Sequence, residues 1–91
     1  METMAIHAKI EQGNAAPALR KVSTELDGID GEVTLDFSSL CRIDAGVVEA
    51  LETLATKADA KGIKVALRGV NVDVYRVLKL VKLARRFSFT G

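Results

Sequence analysis

Val33-Thr-Leu-Asp-Phe-Ser-Ser-Leu-Cys-Arg-Ile-Asp-Ala-Gly46 is the stretch on which the fold turns. Val33, Leu35 and Phe37 alternate with Thr34 and Asp36, the period of two that a strand with one buried face requires, and the run ends at the polar pair Ser38-Ser39. Beyond it Asp44 stands where a carboxylate caps a helix. Its oxygen accepts from an otherwise unpaired N–H of the first turn, and its charge favours the positive helix end. Val47, Val48, Leu51, Leu54, Ala55 and Ala58 then form an apolar helical stripe that Gly62 stops. A strand delivered directly into a capped helix is half of a parallel α/β unit.

The same alternation extends both ways along the chain. Between Ala5 and Ile10, the apolar Ile6, Ala8 and Ile10 alternate with His7 and Lys9, which predicts a first strand. Gly13 and Asn14 break it. Asn14 reads as a helix N-cap, Pro17 falls in the first turn where its missing N–H costs nothing, and Leu19, Val22 and Leu26 predict a helix over 15–27. Gly28 and Gly31 bracket a turn before the second strand. Downstream, Val65 and Leu67 predict a third strand ending at Gly69. Asn71 caps a helix whose Val74, Val77, Leu78 and Val81 follow i, i+3, i+4, i+7, and Phe87-Ser-Phe89 predicts a short last strand. Three strand-to-helix alternations with short turns give an α/β fold class with a largely parallel sheet and right-handed crossovers. With no internal repeat, low-complexity tract or linker, a single domain over 1–91 is expected.

Composition narrows the function classes. The 91 residues are 48% hydrophobic and 27% charged, which suits a small globular core and neither a disordered nor a fibrous chain. Thirteen basic against twelve acidic side chains leave a formal charge of +1, too little to require nucleic acid or an anionic membrane as partner. Lys79, Lys82, Arg85 and Arg86 gather late in the chain and read as the wet side of the last helix, with cations at its dipole-favoured end. Cys41 is the only cysteine, which excludes an internal disulfide and a cysteine-based zinc cage; a small, buried or half-buried side chain is expected. No apolar run approaches the roughly 20 residues of a spanning helix, and the start Met1-Glu-Thr-Met lacks the layout of a secretion signal. A cytoplasmic protein without membrane insertion is the expectation.

Catalytic constellations are hard to assemble from this chain. His7, the only histidine, falls at a polar strand position, and Ser38, Cys41 or Asp44 would meet it only through the fold. No catalytic residue is assigned. One His, one Cys and scattered acids match no metal-ligand spacing, and Gly28, Gly31, Gly46, Gly62 and Gly69 are separated turn and cap glycines outside any phosphate-binding motif. No metal or cofactor is therefore expected. What remains is the polar corner of Ser38, Ser39, Arg42 and Asp44 at the carboxyl end of a parallel strand, where such folds place functional groups. Local physics leaves it open between an ordinary cap and a docking surface.

These phrases, in this order, resemble the STAS domain family. In that family a V-x-L-D-L-S-G-V strand leads to an I-D-S-S-G helix start, as Val33 to Gly46 does here. Leu51 to Gly62 resembles the family's following helix and Ile63 to Gly69 its G-x-x-L-x-L-x-G-V strand. Val72 to Phe89 resembles its closing V-x-x-V-L-x-L element, and Ile10 to Val22 its early strand and A-P-x-L-R helix. The resemblance implies a mostly parallel sheet of about four strands with helices mainly on one face, no enzymatic activity and no cofactor. It also implies a bacterial role in signal transduction and transcription regulation as an anti-sigma factor antagonist, which captures a serine-kinase-like anti-sigma factor. The partner-binding set carried over is Ser38, Ser39, Arg42, Asp44, Ala45, Gly46 and Glu49, on the corner and the exposed face of the helix from Gly46 to Lys61.

Members of that family are commonly switched by phosphorylating the Ser or Thr directly after the Asp, where a charge of about −2 repels an acidic partner surface. Here that residue is Ala45, which has no hydroxyl, while Gly46 replaces the second small polar residue and Val47 stands where glycine is typical. Constitutive binding is one implication. Another is the branch in which a STAS subunit of a bacterial phospholipid or organic-solvent ABC transport system grips the ATPase subunit. Ser38, Ser39 and Thr53 are candidate substitute phosphosites, and nothing in the sequence singles one out. Family members usually begin with an additional strand for which Met1 to Ala5 leaves little room, so an exposed sheet edge and a homodimer are expected.

Overall fold

Alternating burial makes the sheet one-sided, and this decides where everything else goes. The computed structural model describes residues 5–28 and 31–90, so the turn expected between Gly28 and Gly31 lies partly outside the described residues. In chain order the elements are β1 (Ile6–Lys9), α1 (Ala15–Glu25), a 3-10 turn (Leu26–Gly28), β2 (Glu32–Asp36), α2 (Ala45–Lys61), β3 (Lys64–Arg68), α3 (Val72–Leu80), a second 3-10 turn (Ala84–Arg86) and β4 (Ser88–Thr90). The strands lie in the order β1-β2-β3-β4, and every pair is parallel. Right-handed crossovers that always step the same way along a sheet deliver every helix to the same face.

That face holds the core. Val33, Leu35, Val65 and Leu67 are buried together with Leu19 and Val22 of α1, Leu51 and Leu54 of α2, and Val74 and Leu78 of α3. Each fully buried Leu or Val contributes about 1.5–3 kcal/mol. The register places Lys9, Asp36, Arg68 and Thr90 in one row across the opposite face and His7, Thr34, Ala66 and Ser88 in the next. A purely parallel sheet normally has both faces covered. Here the second face carries polar or small side chains, and His7 is exposed on it as the alternation predicts.

Local signals set the helix ends with four departures. Asp44 and Asn71 cap α2 and α3 through their side chains, accepting from Val47 N at 3.0 Å and Val74 N at 2.8 Å. Gly62 ends α2 in the left-handed region at φ +69°. Asn14, by contrast, makes no side-chain cap: its backbone is not extended (φ −134°, ψ 17°), and only its carbonyl accepts, from Ala18 N. The helix expected over 15–27 finishes at Glu25 and continues as the 3-10 turn. Val81 leaves the predicted apolar stripe because α3 stops at Leu80, so Val74 and Leu78 are buried while Val81 is exposed. Of the late cations only Lys79 lies on α3. Lys82 sits in the left-handed region at φ 65° beyond it, and Arg85 and Arg86 belong to the second 3-10 turn.

Candidate functional site

Three loops meet at the carboxyl ends of β1, β2 and β3, and the middle one carries the corner singled out by sequence. Phe37 extends the ladder past β2 by donating its N–H to Arg68 O at 2.8 Å, and its carbonyl accepts from Leu40 N at 2.9 Å. Asp36 Oδ1 accepts from Ser38 N at 2.9 Å, so the chain turns at once. Leu40 is buried and Ile43 half-buried, pinning the loop to the core from below. Ser38, Ser39, Cys41, Arg42, Asp44 and Ala45 are left exposed on one continuous strand-to-helix segment.

Two residues from the flanking loops fix the backbone of this segment. Gln12 Oε1 accepts from Cys41 N at 2.8 Å and Arg42 N at 3.3 Å, while its Nε2 donates to Arg42 O at 3.1 Å. From the other side, Asn71 Nδ2 donates to Leu40 O at 3.1 Å and Cys41 O at 3.2 Å, while its Oδ1 caps α3. Each polar atom of both amides therefore has a partner. Gly69 allows the β3–α3 loop to approach, since a Cβ there would lie 2.9 Å from Ser38 Cβ and 3.2 Å from Ser38 Cα. The expected capping role of Asn71 is only half of what it does, and the roles of Gln12 and Gly69 carry no local sequence signal beyond a polar or small residue in a loop.

The burial expected for Cys41 is overturned: it is exposed. Its N–H and C=O are both committed to the flanking amides, and the inward positions of the loop go to Leu40 and Ile43. Among the described residues no hydrogen bond joins His7 to Ser38, Cys41 or Asp44. His7 instead lies in the middle of β1 on the open sheet face. No group of three or more His, Cys, Asp or Glu among the described residues is placed to hold a metal ion, and no described helix is long and apolar enough to cross a membrane.

On α2, Ala45 is the first residue and exposed, and Glu49 lies one turn further along, exposed as well. Gly46 is half-buried against the cap: a Cβ there would meet Asp44 Oδ1 at 3.4 Å, an ordinary contact, so the position has room for a small side chain. The shifted titration at the corner belongs to Asp36. The Ser38 hydroxyl and then the Ser38 N–H hold its carboxyl below the ordinary 3.8; partial burial works the other way, and Lys9 and Arg68 on the neighbouring strands add to the lowering. Asp36 thereby stays charged and anchors the turn that presents Ser38 and Ser39.

The arrangement offers a stiff, polar, solvent-facing rim, which suits recognition of another surface. The chain matches the family model of the STAS domain over residues 3–90. It is similar in structure to a protein from Thermotoga maritima described as a candidate anti-sigma factor antagonist, with a TM-score of 0.72 and 22% identity over 92% of this chain and 73% of that one. The NMR structure of that same Thermotoga protein gives a TM-score of 0.77 and 17% identity, covering 96% of this chain and 74% of the other. At such identities the likeness shows the fold. No curated protein matches the sequence.

Proposed function

The chain belongs to the STAS domain family, and from that premise we propose that it is a non-enzymatic, protein-binding regulator of the anti-sigma factor antagonist type, acting in the cytoplasm. The observation that carries this reading is the clamped corner. Gln12 and Asn71 hold the backbone of Leu40, Cys41 and Arg42 from two sides, so Ser38, Ser39, Arg42 and the start of α2 are displayed in one geometry before any partner arrives. A surface ordered in advance loses little conformational freedom on binding. Asp44, Ala45, Gly46 and Glu49 complete the docking face, and the partner is a serine-kinase-like anti-sigma factor.

Ala45 sets the regulation. The family's usual switch places a phosphate on a hydroxyl at this position, and the Ala45 methyl accepts none. Docking is therefore constitutive with respect to that switch, and any control by phosphate falls on Ser38, Ser39 or Thr53, all exposed. The same alanine supports a second reading, a STAS subunit that grips the ATPase of a bacterial phospholipid transport system and never used the switch.

Immobilised protein incubated with bacterial extract tests both. Retention of a GHKL-type kinase, weakened about tenfold or more by Ala45→Glu, supports the first reading. Retention of an ABC ATPase with the same sensitivity moves the assignment to the second. If neither class is retained while RNA or small metabolites are, both readings fail.

A further inference from the structure

Three of the exposed large hydrophobic side chains among the described residues line one groove. Val72 and Tyr75 lie on α3 and Phe89 on β4, and Val72 is 68% exposed, whereas the exposed Leu80 and Val81 at the end of α3 lie outside the groove. Scattered singly such residues need no explanation; collected on one side they mark a binding surface. Tyr75 and Phe89 stack edge to face, with ring centroids 5.1 Å apart and planes at 82°. Two hollows open against this pair. One, of about 390 Å³, is completed by Val70, Asn71, Val72 and Thr90; the other, of about 400 Å³, by Lys79, Lys82, Ala84 and Arg85.

Beside this groove runs an unfinished sheet. Among the described residues β4 ends the strand order and pairs with β3 alone, through Ala66↔Ser88, Leu67↔Phe89 and Arg68↔Thr90, so its outer N–H and C=O groups have no strand partner there. The rim is cationic. Lys79, Lys82 and Arg85 form no salt bridge among the described residues, whereas Arg86 is held by Asp59 at 3.1 Å. Lys82 also occupies the left-handed position after α3, fixed by Leu83 N donating to Leu78 O at 2.8 Å, where glycine is the usual residue.

We propose that this groove takes an extended acidic segment of another protein, which adds to β4 as a further strand, seats an apolar side chain against Val72, Tyr75 and Phe89, and sets its carboxylates on Lys79, Lys82 and Arg85. A second copy is the wrong occupant. Two-fold pairing of β4 with β4 would bring the same three cations together, and the groove beside the β1 edge carries Lys9 and Lys21 against Glu25, which supplies no acidic surplus. A lipid surface would leave the strand edge unpaired and the concave aromatic wall unfilled, whereas an extended peptide satisfies both. The inference stands apart from the corner at Asp44 and does not depend on Ala45.

A display selection of random peptides of about twelve residues against the full 91-residue chain tests it. Enriched peptides should combine Asp or Glu with Leu, Val or Phe. In amide NMR they should shift Ser88–Thr90 and protect amides of that strand from exchange. Their affinity should fall about tenfold or more between low and high salt, and by as much in the triple variant Lys79→Glu, Lys82→Glu, Arg85→Glu or in Val72→Asp, all exposed positions. The amide spectrum away from the groove verifies that each variant is folded. Failure to enrich a binder, enrichment of non-acidic peptides, or shifts confined to the Ser38–Glu49 corner overturns the proposal. So does binding of anionic vesicles, RNA or a second copy at β4 in place of peptide.

Discussion

Replacing Gly62 and Gly69 by alanine, one at a time, separates backbone conformation from close approach. Both glycines sit at φ +69°. Alanine in the left-handed region costs about 1–2 kcal/mol at either position. At Gly62 nothing among the described residues lies within 4 Å of the added methyl, so this is the whole effect. At Gly69 the methyl would stand 2.9 Å from Ser38 Cβ, 3.2 Å from its Cα and 3.3 Å from its N, none of which is the far end of a flexible side chain. Ser38 is also tied back through its N–H to Asp36 at 2.9 Å, so moving it strains the turn. Overpacking of this kind adds about 1–3 kcal/mol. Gly62→Ala should therefore lose about 1–2 kcal/mol and Gly69→Ala about 2–5 kcal/mol. With a urea m-value of about 1 kcal/mol/M, the unfolding midpoints fall by about 1–2 M and 2–5 M respectively. Amide resonances of Ser38 to Asp44 should shift in Gly69→Ala and stay in place in Gly62→Ala. Equal urea midpoints for the two variants would refute the claim that the β3–α3 loop is packed on Ser38.

The remaining expectations use the same protein. Ser23 is buried within α1, and its hydroxyl finds no hydrogen-bond partner among the described residues, so Ser23→Ala should raise stability by about 1 kcal/mol in urea denaturation; a loss of that size would mean the hydroxyl is bonded. Asp44→Ala removes the side-chain acceptor for Val47 N and should cost about 0.5–2 kcal/mol, whereas Asp44→Asn should recover most of it, a pattern that thermal unfolding of the two variants checks. The folded-state pKa of Asp36 is depressed, so its stabilising contribution is present above the unfolded value of 3.8 and is lost as pH falls through the lower folded value. Carboxyl NMR should place the Asp36 midpoint below 3.8, and Ser38→Ala, which deletes the largest cause, should move it upward; an unmoved midpoint would contradict that cause.

The fold was legible in the sequence because its determinants are local. A period of two in Val33, Leu35 and Phe37, a period near 3.6 in Val47 to Ala58, and the caps Asp44, Gly62 and Asn71 act over four residues or fewer, and all reappear in the structure. Misreadings fall where another local influence competes. Asn14 lies next to Gly13 at φ +88° and does not take an extended backbone, and Val81 fits the helical period one residue beyond where α3 stops. The corner at Ser38 to Asp44 was visible as a polar strand end, and its resemblance to the family singled it out. Its rigidity was not visible.

What the sequence determined by itself is the α/β alternation, the one-sided sheet and the absence of a hydroxyl at Ala45. Tertiary structure alone decided that Gln12 reaches Cys41 and Arg42 across some 30 residues and that Asn71 reaches Leu40 and Cys41 across a similar span. It also decided that Gly69 must stay small for Ser38 and that Tyr75 meets Phe89 beside an open strand edge. Hydrophobic periodicity and capping depend on neighbours along the chain. Contacts between loops depend on the register that aligns the ends of β1, β2 and β3, which exists only once the strands have paired.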